Sequence, residues 1–402
     1  MTRKFFLCYF ESTRRCNLKC FYCMTRRDEA DCKNELTTDE VKHFVLDEVR
    51  KICANGSVAF SGGEFLLRKD ALELLEYNNR LGLYSFINTN GLCLTPKLLK
   101  EIKKVSKNRV AFGFPLNSVV SSVNRQSRDD NSERIMNLVE LCDKEGMGYF
   151  FVVTISKLNL STLAQTIELM KSRKIPLIRS PFVPRGAGSQ CQEKSVSSQD
   201  MKEIAYPLLR DNYLSYISYT PFFAEPEFMR KTWSELDIPI ANFGCQAGRS
   251  FIGISAEGEV APCLHLLDTN SSLLKHSTKV NSPSIGNVRT QYLAKMMNTS
   301  PILTNLEDGS KLKGKCGRCR YKHTCSGCRA IAYYHSGDYL AEDPTCFFEP
   351  ENELTISPDE KIHNENVSKF IKFLVYNKPW NQIFKSMSLK KKIKAVLWSL
   401  DK

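Results

Sequence analysis

Three cysteines spaced C-x3-C-x2-C, in the run Cys16-Asn17-Leu18-Lys19-Cys20-Phe21-Tyr22-Cys23, follow directly on an apolar, β-patterned stretch near the N-terminus. Three thiolates on so short a loop can grip three irons of a [4Fe–4S] cube and leave the fourth iron without a protein ligand. An iron with an open position binds a small molecule and does chemistry, whereas a fully ligated cluster mainly carries electrons. A structural zinc site is the plain alternative, but it wants a fourth nearby ligand and usually pairs its cysteines as C-x2-C. The strand-then-loop setting favours the open cluster.

Apolar and turn patterning predicts alternating strands and helices around this loop. Strands are expected at about Leu7–Ser12, Ser57–Phe60, Tyr84–Asn88, Arg109–Phe114, Tyr149–Ile155 and Leu177–Phe182. Between them, Thr37-x-x-Glu40 reads as a capping box before Val41, Phe44, Val45, Val49 and Ile52 at helical spacing. A helix is expected from the end of Ser61-Gly62-Gly63-Glu64 to Gly82, and Thr95-Pro96 opens another with a cap and a first-turn proline. Further helices run from about Ser132 to Glu145 and from Ser161 to a point before Pro176. Six β–α alternations imply a parallel sheet with helices outside, and six are too few for a closed eight-stranded barrel. The fold class is therefore α/β, a partial (β/α)6 barrel over residues 1–188. In such folds the active groups sit at the C-terminal strand ends, where the cysteine loop, Gly62-Gly63-Glu64 and Thr89-Asn90-Gly91 all fall.

Beyond Gly188 the texture changes. Residues 189–240 are polar and read as a bridge, and residues 241–350 hold seven cysteines and a hairpin pattern turned at Glu257-Gly258. The cysteines are Cys245, Cys263, then Cys316-x2-Cys319-x5-Cys325-x2-Cys328, and Cys346. A small lobe of this kind is expected to be held by metal more than by a core. Taken alone, cysteine fours at these spacings are common zinc sites. The chain has 16 cysteines in 402 residues and no apolar run of membrane-spanning length. It also lacks a secretory leader pattern, so a cytoplasmic setting with metal-bound thiols is expected rather than disulfides.

The net charge of +13 is concentrated at the C-terminus, where residues 366–402 carry nine lysines and one acid. The body has little excess charge, so nucleic acid binding gets no support. In residues 351–402 the side chains Leu389, Ile393, Val396, Leu397 and Leu400 share one face of a basic amphipathic helix. Docking on the protein itself is the expected role, with at most peripheral membrane contact.

The N-terminal triad resembles the signature of the radical S-adenosylmethionine (radical SAM) superfamily, and the resemblance spans about residues 5–350. It implies a SAM-binding [4Fe–4S] cluster on Cys16, Cys20 and Cys23, with Tyr22 against the adenine. Gly62, Gly63 and Glu64 would lie by the methionyl amino group, and Asn90, Ser118 and Arg128 by the ribose or carboxylate. The C-terminal cysteines resemble the SPASM domain, which carries one or two auxiliary iron–sulfur clusters. By that family's arrangement Cys316, Cys319, Cys325 and Cys346 hold one cluster, and Cys245, Cys263 and Cys328 a second. Cys328 departs from the pattern, standing two residues rather than three beyond Cys325.

The resemblance further implies reductive cleavage of SAM, hydrogen abstraction from an unactivated carbon, and an electron donor such as flavodoxin or ferredoxin. A peptide or protein substrate is the first expectation, with porphyrin side-chain decarboxylation and sugar-alcohol oxidation as the alternatives. A non-enzymatic zinc-binding interaction protein is the rival from another class. His265 is a candidate proton-transfer group or cluster ligand, and Arg179 on the last barrel strand a candidate substrate contact. Cys8, Cys32, Cys53, Cys93, Cys142 and Cys191 read as plain thiols.

Overall fold

The computed structural model describes residues 7–25, 34–53, 56–173, 175–205, 245–249, 251–267, 283–319, 321–323 and 325–350, with Cys32 and Leu208 besides. Most of the expected bridge and the whole basic tail, residues 351–402, lie outside the described residues.

Six parallel strands form the body: β1 (Leu7–Thr13), β2 (Ser57–Gly62), β3 (Tyr84–Asn88), β4 (Val110–Pro115), β5 (Gly148–Ile155) and β6 (Leu177–Pro181). They lie side by side in chain order, with helices between them, and β1 does not pair with β6. The sheet is thus an open, partial barrel. Its strands are buried almost throughout, as in parallel sheets covered on both faces, with Cys8, Phe10, Val58, Phe60, Ile87, Phe112 and Phe151 all in one core.

The local expectations hold at the caps. Thr37 and Glu40 form the capping box of the helix over residues 38–52, which includes a π-helical turn at Val41–Leu46. Thr95 caps Pro96–Ser106 through the Leu98 amide. One helix differs. Instead of running unbroken from Glu64 to Gly82, the chain makes a 3-10 turn at Phe65–Leu67 and restarts as Ala71–Arg80. The break lets Arg68 reach across to the Ser12 carbonyl at 2.7 Å while its Nη2 meets Asp70 at 2.7 Å. A helix at Ser121–Ser127 was not anticipated, having no apolar stripe to announce it.

Three more strands extend the same sheet beyond β1. Strand β7 (Phe251–Ile254) pairs parallel with β1, Leu7 opposite Phe251 and Phe10 opposite Ile254. Strands β8 (Glu259–Ala261) and β9 (Gly286–Asn287) follow antiparallel. The β7–β8 turn is the expected hairpin, with Gly258 at φ +89°, where a side chain would strain the backbone. The hairpin therefore continues the barrel sheet rather than standing apart from it. The helix at Leu293–Thr299 also joins the main core, and buried Glu48 accepts the Leu293 amide at 3.1 Å.

Candidate active site

The cysteine loop leaves the C-terminal end of β1 and is pinned from two sides. From β2, the Gly63 amide donates to the Thr13 carbonyl at 2.6 Å and the Glu64 amide to the Arg15 carbonyl at 2.8 Å. A Cβ on Gly63 would stand 2.0 Å from the Arg15 oxygen, so this approach requires glycine. From the segment after β6, the Ala187 amide donates to the Cys23 carbonyl at 2.9 Å, and a Cβ on Gly186 would meet the Cys23 and Met24 oxygens at 2.7 Å. In the sequence this second clamp shows only as the Gly186-Ala187-Gly188 spacing just past the last barrel strand.

The strand ends surround a cavity of about 270 Å³ that is lined by Cys16, Cys20, Tyr22, Cys23, Gly62, Gly63, Asn90 and Arg128. The Tyr22 hydroxyl accepts from Asn117 Nδ2 at 2.9 Å and Arg128 Nη1 at 3.3 Å, so its ring orientation is set by two donors. Asn90 Nδ2 reaches Asn17 at 2.7 Å. On the far side the cavity meets Arg179, Phe182, Cys245, Cys263, His265 and Cys328. The barrel mouth and the C-terminal lobe thus share one space.

Two expected contacts fall elsewhere. Ser118 does not line the cavity: it is fully buried and donates to Thr162 Oγ1 at 2.8 Å. Glu64 is also fully buried, its carboxylate accepting from Thr89 Oγ1 at 2.9 Å, the Asn90 amide at 2.8 Å and the Leu66 amide at 3.2 Å. Burial pushes this carboxyl up, and the donors pull against it. The side chain ties the β2 turn to the β3 turn instead of facing the cavity. Its backbone stays at the site through the bond to Arg15.

The thiols fit iron–sulfur chemistry. The N-terminal three are half-buried at one cavity wall, and charge on any of Cys16, Cys20 and Cys23 is felt by its neighbours. Burial pushes Cys20 up to about 11, so without a metal the group stays protonated. The cationic iron–sulfide core of a cluster is what converts buried thiols to thiolates. Among the described residues, no three His, Cys, Asp or Glu side chains converge on a point where one ion could sit. The sixteen cysteines are thiols, not disulfides.

In the C-terminal lobe the thiols fall into two neighbourhoods. Cys325 lies in the field of Cys316 and Cys319, and Cys346 in that of Cys325 and Cys316. Cys263 lies beside Cys245, and Cys328 beside both. Desolvation pushes Cys263 and Cys325 each up to about 12. Asp343 links the two sets, accepting the Cys328 amide at 2.7 Å while its own amide donates to Cys316 Sγ at 3.4 Å. His265 is held down to about 4 by burial, with Arg185 adding to the effect, and its Nδ1 lies 3.0 Å from Met24 Sδ.

Comparison with known proteins agrees with this geometry. The radical SAM superfamily model matches residues 10–170, and that of the SPASM iron–sulfur cluster-binding domain matches residues 245–329. The AdoMet-dependent heme synthase of Methanosarcina barkeri is 31% identical over 355 residues, covering 85% of this chain and 96% of the relative. The PqqA peptide cyclase of Rhodopseudomonas palustris is 24% identical over 355 residues, covering 85% and 86%. Among solved structures, Streptococcus suis SuiB bound to S-adenosylmethionine superposes with TM-score 0.62 at 18% identity, covering 86% of this chain and 78% of that one, which shows the fold. The zinc-site reading of the C-terminal cysteines is thereby set aside. This chain belongs to the radical SAM superfamily, as an enzyme that uses a [4Fe–4S] cluster with SAM and carries a SPASM domain for auxiliary iron–sulfur clusters.

Proposed function

We propose that the protein oxidises a carboxylate-bearing porphyrin side chain, with Cys16, Cys20 and Cys23 holding the SAM-binding cluster. Cys316, Cys319, Cys325 and Cys346 then hold one auxiliary cluster, and Cys245, Cys263 and Cys328 contribute to a second. The observation that carries this reading is the single cavity joining the three N-terminal thiols to Arg179 and Cys263. The end-to-end similarity to a heme synthase supports the substrate class. When bound, the cluster and SAM supply a carbon radical able to take a hydrogen atom from an unactivated carbon.

The chain's own residues do the positioning. Tyr22, held by Asn117 and Arg128, offers an aromatic face to the adenine. Gly62 and Gly63 let the backbone approach the methionyl end. Arg179 on β6 supplies a permanent cation for a side-chain carboxylate, in a form suited to bidentate binding. Apolar walls from Phe86, Phe150, Phe182 and Val183 exclude water and suit a flat ring. Loss of CO2 with one hydrogen atom and one electron is a net oxidation, and a cluster held by Cys316, Cys319, Cys325 and Cys346 would supply the acceptor for that electron. A flavodoxin or ferredoxin is the reductant for SAM cleavage, in the cytoplasm, where sixteen thiols stay reduced.

A peptide substrate is the second reading, favoured by the similarity to a peptide cyclase. The test is anaerobic turnover of the reconstituted chain with SAM, reductant and an iron porphyrin carrying propionates. Formation of 5′-deoxyadenosine with loss of a carboxyl group from the porphyrin is expected. Cys16→Ala/Cys20→Ala/Cys23→Ala should abolish 5′-deoxyadenosine while sparing iron in the C-terminal lobe. Retained SAM cleavage in that variant sinks the ligand assignment. An unchanged porphyrin alongside a modified peptide transfers the substrate to the second reading.

A further inference from the structure

We infer that Arg329 tunes the auxiliary cluster, its buried cation stabilising the negative charge that the cluster gains when it takes up an electron. The inference rests on the assignment of Cys316, Cys319, Cys325 and Cys346 to that cluster, and it holds for either substrate class.

Arg329 starts the helix Arg329–Ser336, immediately after Cys328, and is 2% exposed. Its guanidinium does not point to solvent. Nη1 donates to the Tyr339 carbonyl at 3.0 Å and the Ala341 carbonyl at 2.6 Å. Nη2 points the other way, donating to Cys316 Sγ at 3.6 Å. Among the described residues no carboxylate lies within ion-pair distance of this guanidinium. A permanently charged group buried against neutral carbonyls is unfavourable unless a compensating anion is present. The described residues around it supply none in contact, but the thiol it faces is one of the four that would hold a cluster. A four-thiolate iron–sulfur cluster is net anionic, and more so after reduction. Hydrogen bonds to cluster sulfurs and local charge set its potential.

The geometry is specific to this set of thiols. Cys316 receives a second donor, the Asp343 amide, at 3.4 Å, and Cys319 receives the Tyr321 amide at 3.4 Å. Gly327 makes the approach possible, since a Cβ there would meet Arg329 Nη2 at 2.8 Å and Cys316 Sγ at 3.1 Å. At the N-terminal triad the donors to sulfur are neutral: the Leu18 amide to Cys16 at 3.4 Å and Asn90 Nδ2 to Cys16 at 3.9 Å. A cation bonded to a ligand sulfur raises the potential of that cluster and so favours its taking up an electron. That suits a lobe that removes the second electron of an oxidation.

The experiment uses full-length protein carrying Cys16→Ala/Cys20→Ala/Cys23→Ala, so that the remaining iron belongs to the C-terminal lobe. Midpoint potentials are read by anaerobic redox titration with electron paramagnetic resonance, alongside iron content. Arg329→Gln should keep iron yet lower the reduced-to-oxidised ratio at fixed potential by about tenfold, or about 59 mV for a one-electron couple. Arg329→Lys, which keeps the charge, should move it clearly less. Unmoved potentials in a Gln variant that retains iron overturn the inference, as do equal shifts in both variants. If the Gln variant loses its cluster, the Lys variant decides. Iron retained near the parental potential supports tuning, whereas a lowered potential or lost iron shows only a structural role. Absence of iron in the parent itself defeats the ligand assignment, and is distinguishable from every outcome above.

Discussion

A Cβ added to Gly63 would stand 2.0 Å from the Arg15 carbonyl oxygen, one residue before Cys16. The obstruction is backbone on both sides, so no side chain can swing away to relieve it. Gly63→Ala should cost about 1–3 kcal/mol of stability, as other overpacked sites do. It should also displace the start of the cysteine loop. Thermal unfolding together with iron analysis checks this: lowered melting with iron lost from the N-terminal site but kept in the C-terminal lobe is expected. Wild-type iron at both sites would show that the β2 turn does not position the loop. The glycines were legible in the sequence as places of close approach, but their partner was read as SAM. The structure adds the cysteine loop itself as a partner. Glu64 illustrates the same limit. Its motif was readable, whereas the direction of its carboxylate depended on Thr89 and Asn90, a strand away.

At the scale of elements, the helix over residues 38–52 is tied to the β9 edge by a forked ion pair. Arg289 Nε donates to Glu40 Oε1 at 2.7 Å and Nη2 to Oε2 at 3.0 Å. Hydrogen bonding from Arg289 holds the Glu40 carboxyl down to about 2, against an ordinary value of 4.5. The folded state thus binds this proton less readily than the unfolded chain does. The stabilisation is complete above about pH 4.5 and is lost as pH falls toward 2. Both side chains are partly exposed, so solvent screening limits the effect to about 1 kcal/mol or less. Arg289→Gln should lower the melting temperature of the metal-free chain at pH 6, and the gap to wild type should shrink by pH 3. A gap that stays constant across this range would refute the assignment. The capping box that starts this helix was plain from Thr37 and Glu40, but the second use of Glu40 was not. Its partner lies 249 residues away.

On the scale of the whole molecule, the arginine of a buried ion pair joins the barrel to the C-terminal lobe. Arg185 Nη2 and Glu11 Oε1 are 3.1 Å apart, with side chains 1% and 0% exposed. Arg185 Nη1 also donates to the Leu264 carbonyl at 2.9 Å, next to Cys263. One side chain thereby fixes β1, the segment after β6 and the lobe against one another. Arg185→Met leaves a buried carboxylate uncompensated and should cost about 3–5 kcal/mol. Adding Glu11→Met should recover most of that loss, because the pair's cost of desolvation disappears with it. Denaturant unfolding of the single and double variants provides the measurement. A double variant no more stable than Arg185→Met would show that the pair is not the source of the loss.

The cysteine spacings carried the open-cluster reading, because a short loop can present thiols to a cluster whatever surrounds it, and the family resemblance added the chemistry on SAM. Strand alternation carried the open α/β architecture for the same reason of locality: periodicity and caps act within a few residues. Three features lay beyond that reach. The pairing of β7 with β1 depends on a sheet edge that exists only once the barrel has formed. The inward turn of Ser118 and Glu64 depends on donors from neighbouring strands. The meeting of Arg329 with Cys316 depends on a glycine that leaves room between two turns. Each is a contact between distant segments, and only the packed chain decides which buried donors and charges face one another.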